Sequence, residues 1–206
     1  MRKCLRDNGL TIALTLLFAG SLAAMAWSGW LDTAQEARVH GEAAPSLGQY
    51  LASGNFIGPM FENWESEFLQ MSVYVVLTAM LFQRGSAESR DPDSPGRDDD
   101  EASPGLAGWL YAHSLGLVLA GLFAASFLLH AWGSWHAAIE DAARHGQPRM
   151  SLWAYLGDAR FWFESMQNWQ SEFLSTGALV VLSIFLRHKG SPESKPVRRL
   201  NKETGI

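Results

Sequence analysis

The chain has 206 residues, of which 48% are hydrophobic and 18% are charged, and its formal net charge is -5. The charged fraction is below the roughly 25% of an average soluble domain, and the single cysteine excludes an internal disulfide and a cysteine-based metal site. The sequence has no basic face with interleaved aromatic residues, so nucleic acid is excluded as a predicted partner.

The first half opens with an apolar segment over residues 10–30, about the 20 residues needed to cross a bilayer. Its basic start and Ala24-Met25-Ala26 also fit a cleaved secretory signal. We interpret it as a retained helix because the segment recurs in mid-chain, and we expect it to extend to residue 40. A short helix over residues 47–51 follows, and then a second span over residues 59–83 with Pro59 at its first position.

The second half follows the same plan. Residues 85–105 are rich in Ser, Pro, Gly and acidic residues, which predicts a solvated, disordered acidic linker. Spans are predicted over residues 106–135 and 158–186, with a short helix over residues 151–156 between them and Asp158 capping the last span. The basic residues 187–189 are expected to face lipid headgroups, and the basic tail, residues 190–206, is expected to be loose.

An internal repeat organises these elements. Residues 63–69, Asn-Trp-Glu-Ser-Glu-Phe-Leu, return as residues 168–174, Asn-Trp-Gln-Ser-Glu-Phe-Leu, about 105 positions later. Without a gap, about 31 of some 84 aligned positions are identical. The repeat predicts an all-α membrane protein. Its four transmembrane helices would form two tandem parallel-repeat hairpins, residues 1–84 and 106–189, with short interfacial helices on the extracytoplasmic side.

The basic residues predict the orientation. About 12 of the 16 Lys and Arg lie in the N-terminus, the linker and the C-terminal tail. Because basic residues concentrate on the cytoplasmic side of membrane proteins, we predict a multi-pass protein of the bacterial inner membrane with both termini in the cytoplasm. The lipid bilayer is therefore the predicted partner. Four spans are enough for a pore or carrier only in a homo-oligomer, for which we predict a dimer.

Charged groups in membrane-length helices are costly unless they have a partner or reach water, so the repeated polar residues are the candidate site. This predicted polar cluster comprises Asn63, Ser66, Glu67, Asn168, Ser171 and Glu172. The alternative is that each repeated glutamate lies at the outer rim of the membrane and reaches water from an early helical turn. Glu62 and Glu65 are Gln167 and Gln170 in the second half, and we interpret these carboxylates as free to change.

Metal binding has weaker support. His40 and His145 also repeat, and with the two repeated glutamates they would make a ligand set of metal type. Because each is followed by glycine, helix termination is the favoured explanation. His130 corresponds to Met25 and is therefore not predicted as a ligand. We predict no cofactor, no catalytic residue and no enzymatic activity, since no nucleophile motif occurs.

Three motifs carry a resemblance to a known family: N-W-x-S-E-F-L in both halves, RGSAESRDPD after the second span, and RDNGL near the start. The chain resembles, over nearly its whole length, a bacterial family of small membrane proteins catalogued as a domain of unknown function. The resemblance implies an integral cell-membrane protein and brings no established activity. From the residues we expect a module for proton or cation handling or for helix assembly. The alternatives are a metal-binding membrane enzyme and an accessory subunit of a membrane complex.

Overall fold

A computed structural model describes residues 7–94 and 105–205, which form seven α-helices and no strand. They are α1 (Gly9–Val39), α2 (Leu47–Leu51), α3 (Gly54–Met80), α4 (Leu106–Ala112), α5 (Ser114–Arg144), α6 (Leu152–Leu156) and α7 (Ala159–Phe185). The predicted all-α class is confirmed. The basic residues Arg2, Lys3 and Arg6 and the acidic run at residues 98–101 lie outside the described residues.

Within the described residues, α1 and α5 are long and apolar enough to cross a membrane. Each has 31 residues and a mean hydropathy of 1.9 in its most apolar window. At 1.5 Å per residue each helix is about 46 Å long, which exceeds the roughly 30 Å of a hydrocarbon core. The prediction that the first helix continues through the polar residues after position 30 is confirmed, because α1 ends at Val39. Helices α3 and α7 have 27 residues each and do not meet the same criterion, so the four-span architecture stays a prediction.

The predicted short helices are confirmed, and so is the cap of α7 by Asp158, whose side chain accepts from the Arg160 backbone. The position predicted for Pro59 is wrong, because α3 begins at Gly54 and the proline lies inside it. The carbonyl of Ser53 accepts from the backbone of residues 56 and 57, so a first turn forms before the proline. The predicted third span is also divided, with His113 between α4 and α5.

Several contacts occur twice, at positions about 105 residues apart. The Trp30 indole donates to the Pro45 carbonyl at 2.8 Å, and that of Trp135 donates to the Met150 carbonyl at 2.9 Å. Ring centroids lie 5.5 Å apart for Tyr50 and Phe56 and 5.6 Å apart for Tyr155 and Phe161. Each of these contacts fixes a short helix or loop beside a long helix.

The described parts of the predicted linker and tail, residues 85–94 and 190–205, include buried polar side chains, and the disorder of the linker stays a prediction. Ser86 is 0% exposed, and its hydroxyl lies 3.0 Å from that of Ser183. Lys195 is 1% exposed, because its ammonium donates to the carbonyls of residues 85, 200, 201 and 203. Arg187 donates to carbonyls at the end of α7. Arg187 thereby satisfies carbonyls that the end of this helix leaves open, and its position at lipid headgroups stays a prediction.

The chain divides into two compact units, and each takes residues from both halves. The first comprises described residues of 1–60 and 132–150, and there α3 and α5 approach closely. A Cβ at Gly133 would lie 2.5 Å from the Gly58 nitrogen, so these backbones touch.

The second unit comprises described residues of 61–131 and 151–206. In it, Gly121 has nothing within 4 Å of the place its Cβ would occupy. Its most buried polar groups form the candidate site.

Candidate functional site

The candidate site is a buried cluster around the carboxylate of Glu65, which is 0% exposed. One oxygen, Oε2, lies 3.0 Å from Nδ1 of His130. The other, Oε1, accepts from the Ser165 hydroxyl at 3.0 Å and from the Trp169 indole nitrogen at 3.1 Å. His130 and Ser165 are also 0% exposed. A carboxylate taken fully out of solvent is thus satisfied by three donors.

Three helices of the second unit supply these groups. Glu65 comes from α3 and His130 from α5, while Ser165 and Trp169 are four residues apart on α7 and so share one face. Phe161, one turn earlier on that face, is 0% exposed, and its ring centroid lies 5.1 Å from that of His130. The aromatic ring excludes water, which strengthens the interactions of the cluster.

The hydrogen bonds fix the tautomer of His130. A carboxylate only accepts, so Nδ1 carries the hydrogen that faces Glu65. In the neutral form of the imidazole, Nε2 then has the lone pair. Nε2 is buried and has no hydrogen-bond partner among the described residues. An orphaned nitrogen at a fully buried position is rare and requires an explanation.

Two more carboxylates stand beside this imidazole. One donor atom each of Glu62, His130 and Glu164 lie within 4.8 Å of one another. Glu62 is three residues before Glu65 on α3, and Glu164 precedes Ser165 on α7. Both glutamates are only partly buried, whereas the histidine is fully buried. One imidazole and two carboxylates make a donor set of the kind that binds metal ions.

Neighbouring side chains hold the two glutamates in place. The Asn168 amide donates to Oε1 of Glu62, and Nε of Arg160 donates to Oε1 of Glu164 at 3.0 Å. Both of these bonds use a single carboxylate oxygen.

The structure does not bring the predicted polar cluster together as one site. Asn63, Glu67 and Ser171 are exposed. The hydroxyls of Ser66 and Ser171 donate to the carbonyls of residues 63 and 168, each at 2.8 Å, as expected of serines that bond their own helix. Asn168 reaches the Glu65 cluster through Glu62.

The two repeated glutamates do not enter the cluster either. Glu67 and Glu172 lie close enough to interact electrostatically. The reason for the difference is rotational, because a shift of two residues along a helix turns a side chain by about 200°. On α3, Glu65 faces the interior and Glu67 faces outward.

His40 and His145 end their helices, as the favoured explanation predicted. Nδ1 of each lies at 3.0 and 2.9 Å, respectively, from the carbonyl four residues earlier. The glycines that follow have φ of 71° and 65°, a conformation that glycine adopts at little cost. Within the described chain, neither histidine belongs to a group of three or more potential metal donors.

Two further hydrogen bonds extend the polar contacts of α3, one to α7 and one to the segment that follows α3. The Gln70 amide donates to the Thr176 hydroxyl at 2.6 Å. Nearer the end of α3, the Tyr74 hydroxyl donates to Glu88 at 3.3 Å. We call this row, from Glu62 through Glu65, Gln70 and Tyr74 to Glu88, the polar seam.

Glu88 lies after α3, and its counterpart 105 residues later is Glu193. Burial raises the pKa of Glu88, and the neighbouring carboxyl of Glu193 raises it further. The seam therefore ends in a pair of acidic groups of which one holds its proton more tightly than usual.

Sequence reasoning missed the central residues because it searched for repetition. The residues that correspond to His130, Glu65, Glu62 and Glu164 in the other half are Met25, Gln170, Gln167 and Pro59. One signal was available. A histidine within an apolar, membrane-length helix needs a partner, and an acidic residue on another helix is the usual one.

Comparison with known proteins gives a family but no activity. A family model described as Domain of unknown function (DUF6766) matches residues 1–206. No curated protein and no solved structure matches the chain.

Proposed function

This chain belongs to the DUF6766 family, and we propose that it is a non-enzymatic, multi-pass membrane protein that handles a cation at the Glu65 cluster. The observation that carries the proposal is the fully buried Glu65–His130 pair, whose histidine lies on a helix able to cross a membrane. Ionisable groups at such positions typically mark ion pathways.

Exposed apolar surface supports the membrane location. None of the most apolar window of α1 is buried, and Leu10 is 75% exposed. Monomeric soluble proteins rarely expose apolar patches larger than a few hundred Å², whereas a lipid environment accommodates an entire helix face.

The same surface supports four spans. Large apolar side chains are exposed along the second halves of both α3 and α7, although neither helix meets the spanning criterion as a whole. They are Val76, Leu77, Met80, Val181, Leu182 and Phe185, and Leu81 and Leu186 follow directly after the helix ends. We infer that these portions face lipid and that the acidic first halves of the two helices approach the extracytoplasmic surface. With four spans and the observed charge bias, both termini lie in the cytoplasm.

His130 lies 16 residues after the start of α5, about 24 Å along the helix. It also lies two residues before Trp132, at a depth where interfacial tryptophan is common. A cation would therefore reach the cluster from the extracytoplasmic side. The polar seam would lead it, or a charge it displaces, toward Glu88.

Cation flux into proteoliposomes tests the proposal. The purified full-length protein is reconstituted, and influx of protons, K⁺ and Mn²⁺ is followed with an indicator dye for each. We expect wild-type protein to pass at least one of these cations above empty vesicles. Glu65→Gln should abolish that flux, and the exposed Glu67→Gln should leave it unchanged. Equal flux in empty and protein-containing vesicles, or flux that Glu67→Gln reduces as much as Glu65→Gln, would contradict it.

A helix-assembly role for the same residues gives a different result. If the Glu65 cluster only holds α3, α5 and α7 together, the wild-type protein passes no cation. Substitution of Glu65 then lowers the thermal stability and has no effect on flux. Thermal unfolding of the same preparations, measured beside the flux, separates the two roles.

A further inference from the structure

We infer that the cation is a divalent first-row transition metal, bound by Glu62, His130 and Glu164, with Glu65 as the residue that positions the histidine. This inference rests on the proposed function, since it names the ligand of the same cluster. It begins from two observations: Nε2 of His130 is buried and has no hydrogen-bond partner among the described residues, and the imidazole lies beside the carboxylates of Glu62 and Glu164.

The donor set indicates the class of ion. Imidazole nitrogen suits zinc, iron, nickel and copper, whereas magnesium and calcium prefer oxygen ligands throughout. Two carboxylates together with one imidazole therefore favour ions from manganese to zinc. Three protein donors leave at least one coordination position for water, as in sites whose ion exchanges or reacts.

The spacing allows such an ion. Zinc bonds of about 2.0–2.2 Å hold tetrahedral donors about 3.3 Å apart. The three donors now lie within 4.8 Å of one another. Binding would draw them together by about 1.5 Å at most, and the two partly buried glutamates are the side chains able to move.

Glu65 completes the arrangement without touching the ion. Metal-binding histidines almost always donate their other ring hydrogen to a carboxylate or carbonyl, which fixes the ring and raises the basicity of the ligand nitrogen. The contact of Nδ1 with Glu65 at 3.0 Å is of this kind. Loss of such a partner typically weakens metal binding by about 10- to 100-fold.

Trp169 makes the role of Glu65 testable, because an indole nitrogen only donates. In a Glu65→Gln variant, the amide oxygen must face Trp169 and the amide NH₂ must then face Nδ1 of His130. That arrangement puts the ring hydrogen on Nε2 and removes the lone pair that the ion needs. Without the indole, the amide is free to turn. Its NH₂ then donates to Ser165, which also accepts, and its oxygen accepts from Nδ1.

The experiment measures metal binding by full-length protein in detergent, after chelation and then dialysis against Zn²⁺ or Mn²⁺, with elemental analysis. We expect one ion per chain in the wild type and no saturable binding in Glu62→Gln or Glu164→Gln. Both glutamates are only partly buried, so these variants should fold. Glu67→Gln, the matched control on α3, should bind as the wild type does.

The positioning role has its own measurement. Glu65→Gln should weaken binding by at least about 10-fold. Adding Trp169→Phe to Glu65→Gln should restore part of the affinity, although it removes another cluster residue. A merely structural role for Glu65 predicts that the double variant is no better than Glu65→Gln. That result would overturn the positioning role.

Failure of the inference is distinguishable from failure of the proposed function. Wild-type protein that binds neither ion, or binding that survives Glu62→Gln and Glu164→Gln, would overturn the metal site. A flux of protons or K⁺ that depends on Glu65 would still support the proposed function. Stoichiometric metal binding without any flux would support the site and contradict the proposed function.

Discussion

Replacing Glu65 with leucine is the strongest test of how the buried cluster contributes to stability. Leucine fills the space but cannot accept, so the Nδ1 hydrogen of His130 and the Trp169 indole hydrogen lose their partner. Ser165 is less affected, because a helical serine hydroxyl can turn to a carbonyl of its own helix.

The structure indicates the size of the effect. Each stranded buried donor costs about 1–3 kcal/mol, so two such donors cost about 2–6 kcal/mol. We therefore expect Glu65→Leu to lower the free energy of unfolding by about 2–6 kcal/mol. At about 2–4 °C per kcal/mol for a chain of this size, Tm should fall by about 4–24 °C.

The assay is thermal unfolding of the full-length protein in detergent, followed by tryptophan fluorescence with a chelator present, so that no bound ion contributes. Glu67→Leu is the control, since that side chain is exposed on the same helix, and its effect should stay within about 0.5 kcal/mol. His130→Leu and the double variant complete a thermodynamic cycle. The double variant should lose less than the sum of the two single losses. Equal Tm values for the two leucine variants, or strict additivity in the cycle, would refute the reasoning.

Three further predictions concern other parts of the fold. Gly133→Ala should lower Tm clearly more than Gly121→Ala. The new methyl group at position 133 would lie 2.5 Å from the Gly58 nitrogen, whereas nothing lies within 4 Å of the new methyl group at position 121. Equal Tm values for the two variants would contradict the close approach of the helices. Lys195→Met should make the C-terminal segment sensitive to limited proteolysis, since it strands four carbonyls, and an unchanged digestion pattern would show that the ammonium does not hold the tail. The pKa of Glu88 is raised in the folded state by burial and by a second carboxyl, so its contribution to stability is full at acid pH and is lost as pH rises through that raised pKa. Glu88→Gln should therefore raise Tm relative to wild type at pH 8 and lose this advantage below about pH 4.5, and parallel Tm-against-pH curves would refute this assignment.

Local sequence signals predicted the helices well. Ser46 and Asp158 cap helices as their residue types suggest, and Gly41 ends α1 with a positive φ. The class of fold followed from the length of the apolar segments and from their recurrence in the second half of the chain. A sequence shows both of these features directly.

The packing of polar loops was not predictable in the same way. Ser86 and Lys195 stand among Gly, Ser, Glu and Pro, a composition typical of solvated segments. Their burial depends on Ser183 and on carbonyls from another part of the chain. No local pattern encodes such partners.

The candidate site was missed for a related reason. In the folded chain, Glu65 faces inward and Glu67 faces outward. The sequence of α3 does not show which face of the helix packs against its neighbours, so only the tertiary structure distinguishes the two residues. The repeated sequence indicated Glu67, which has a counterpart in Glu172. The buried carboxylate is Glu65, whose counterpart in the second half is Gln170.

That asymmetry is what the proposed site requires. Similar contacts occur in both halves, such as those of Trp30 and Trp135, and they fix helices to loops. A single ion instead needs one imidazole and two carboxylates at one place, and the second half of the chain offers glutamine where the first has Glu62. An amide at that position has no negative charge to offset a divalent ion. The glutamine at position 167 therefore cannot replace Glu62 as a ligand, and substitution of Glu62 alone should abolish metal binding as fully as the loss of the histidine.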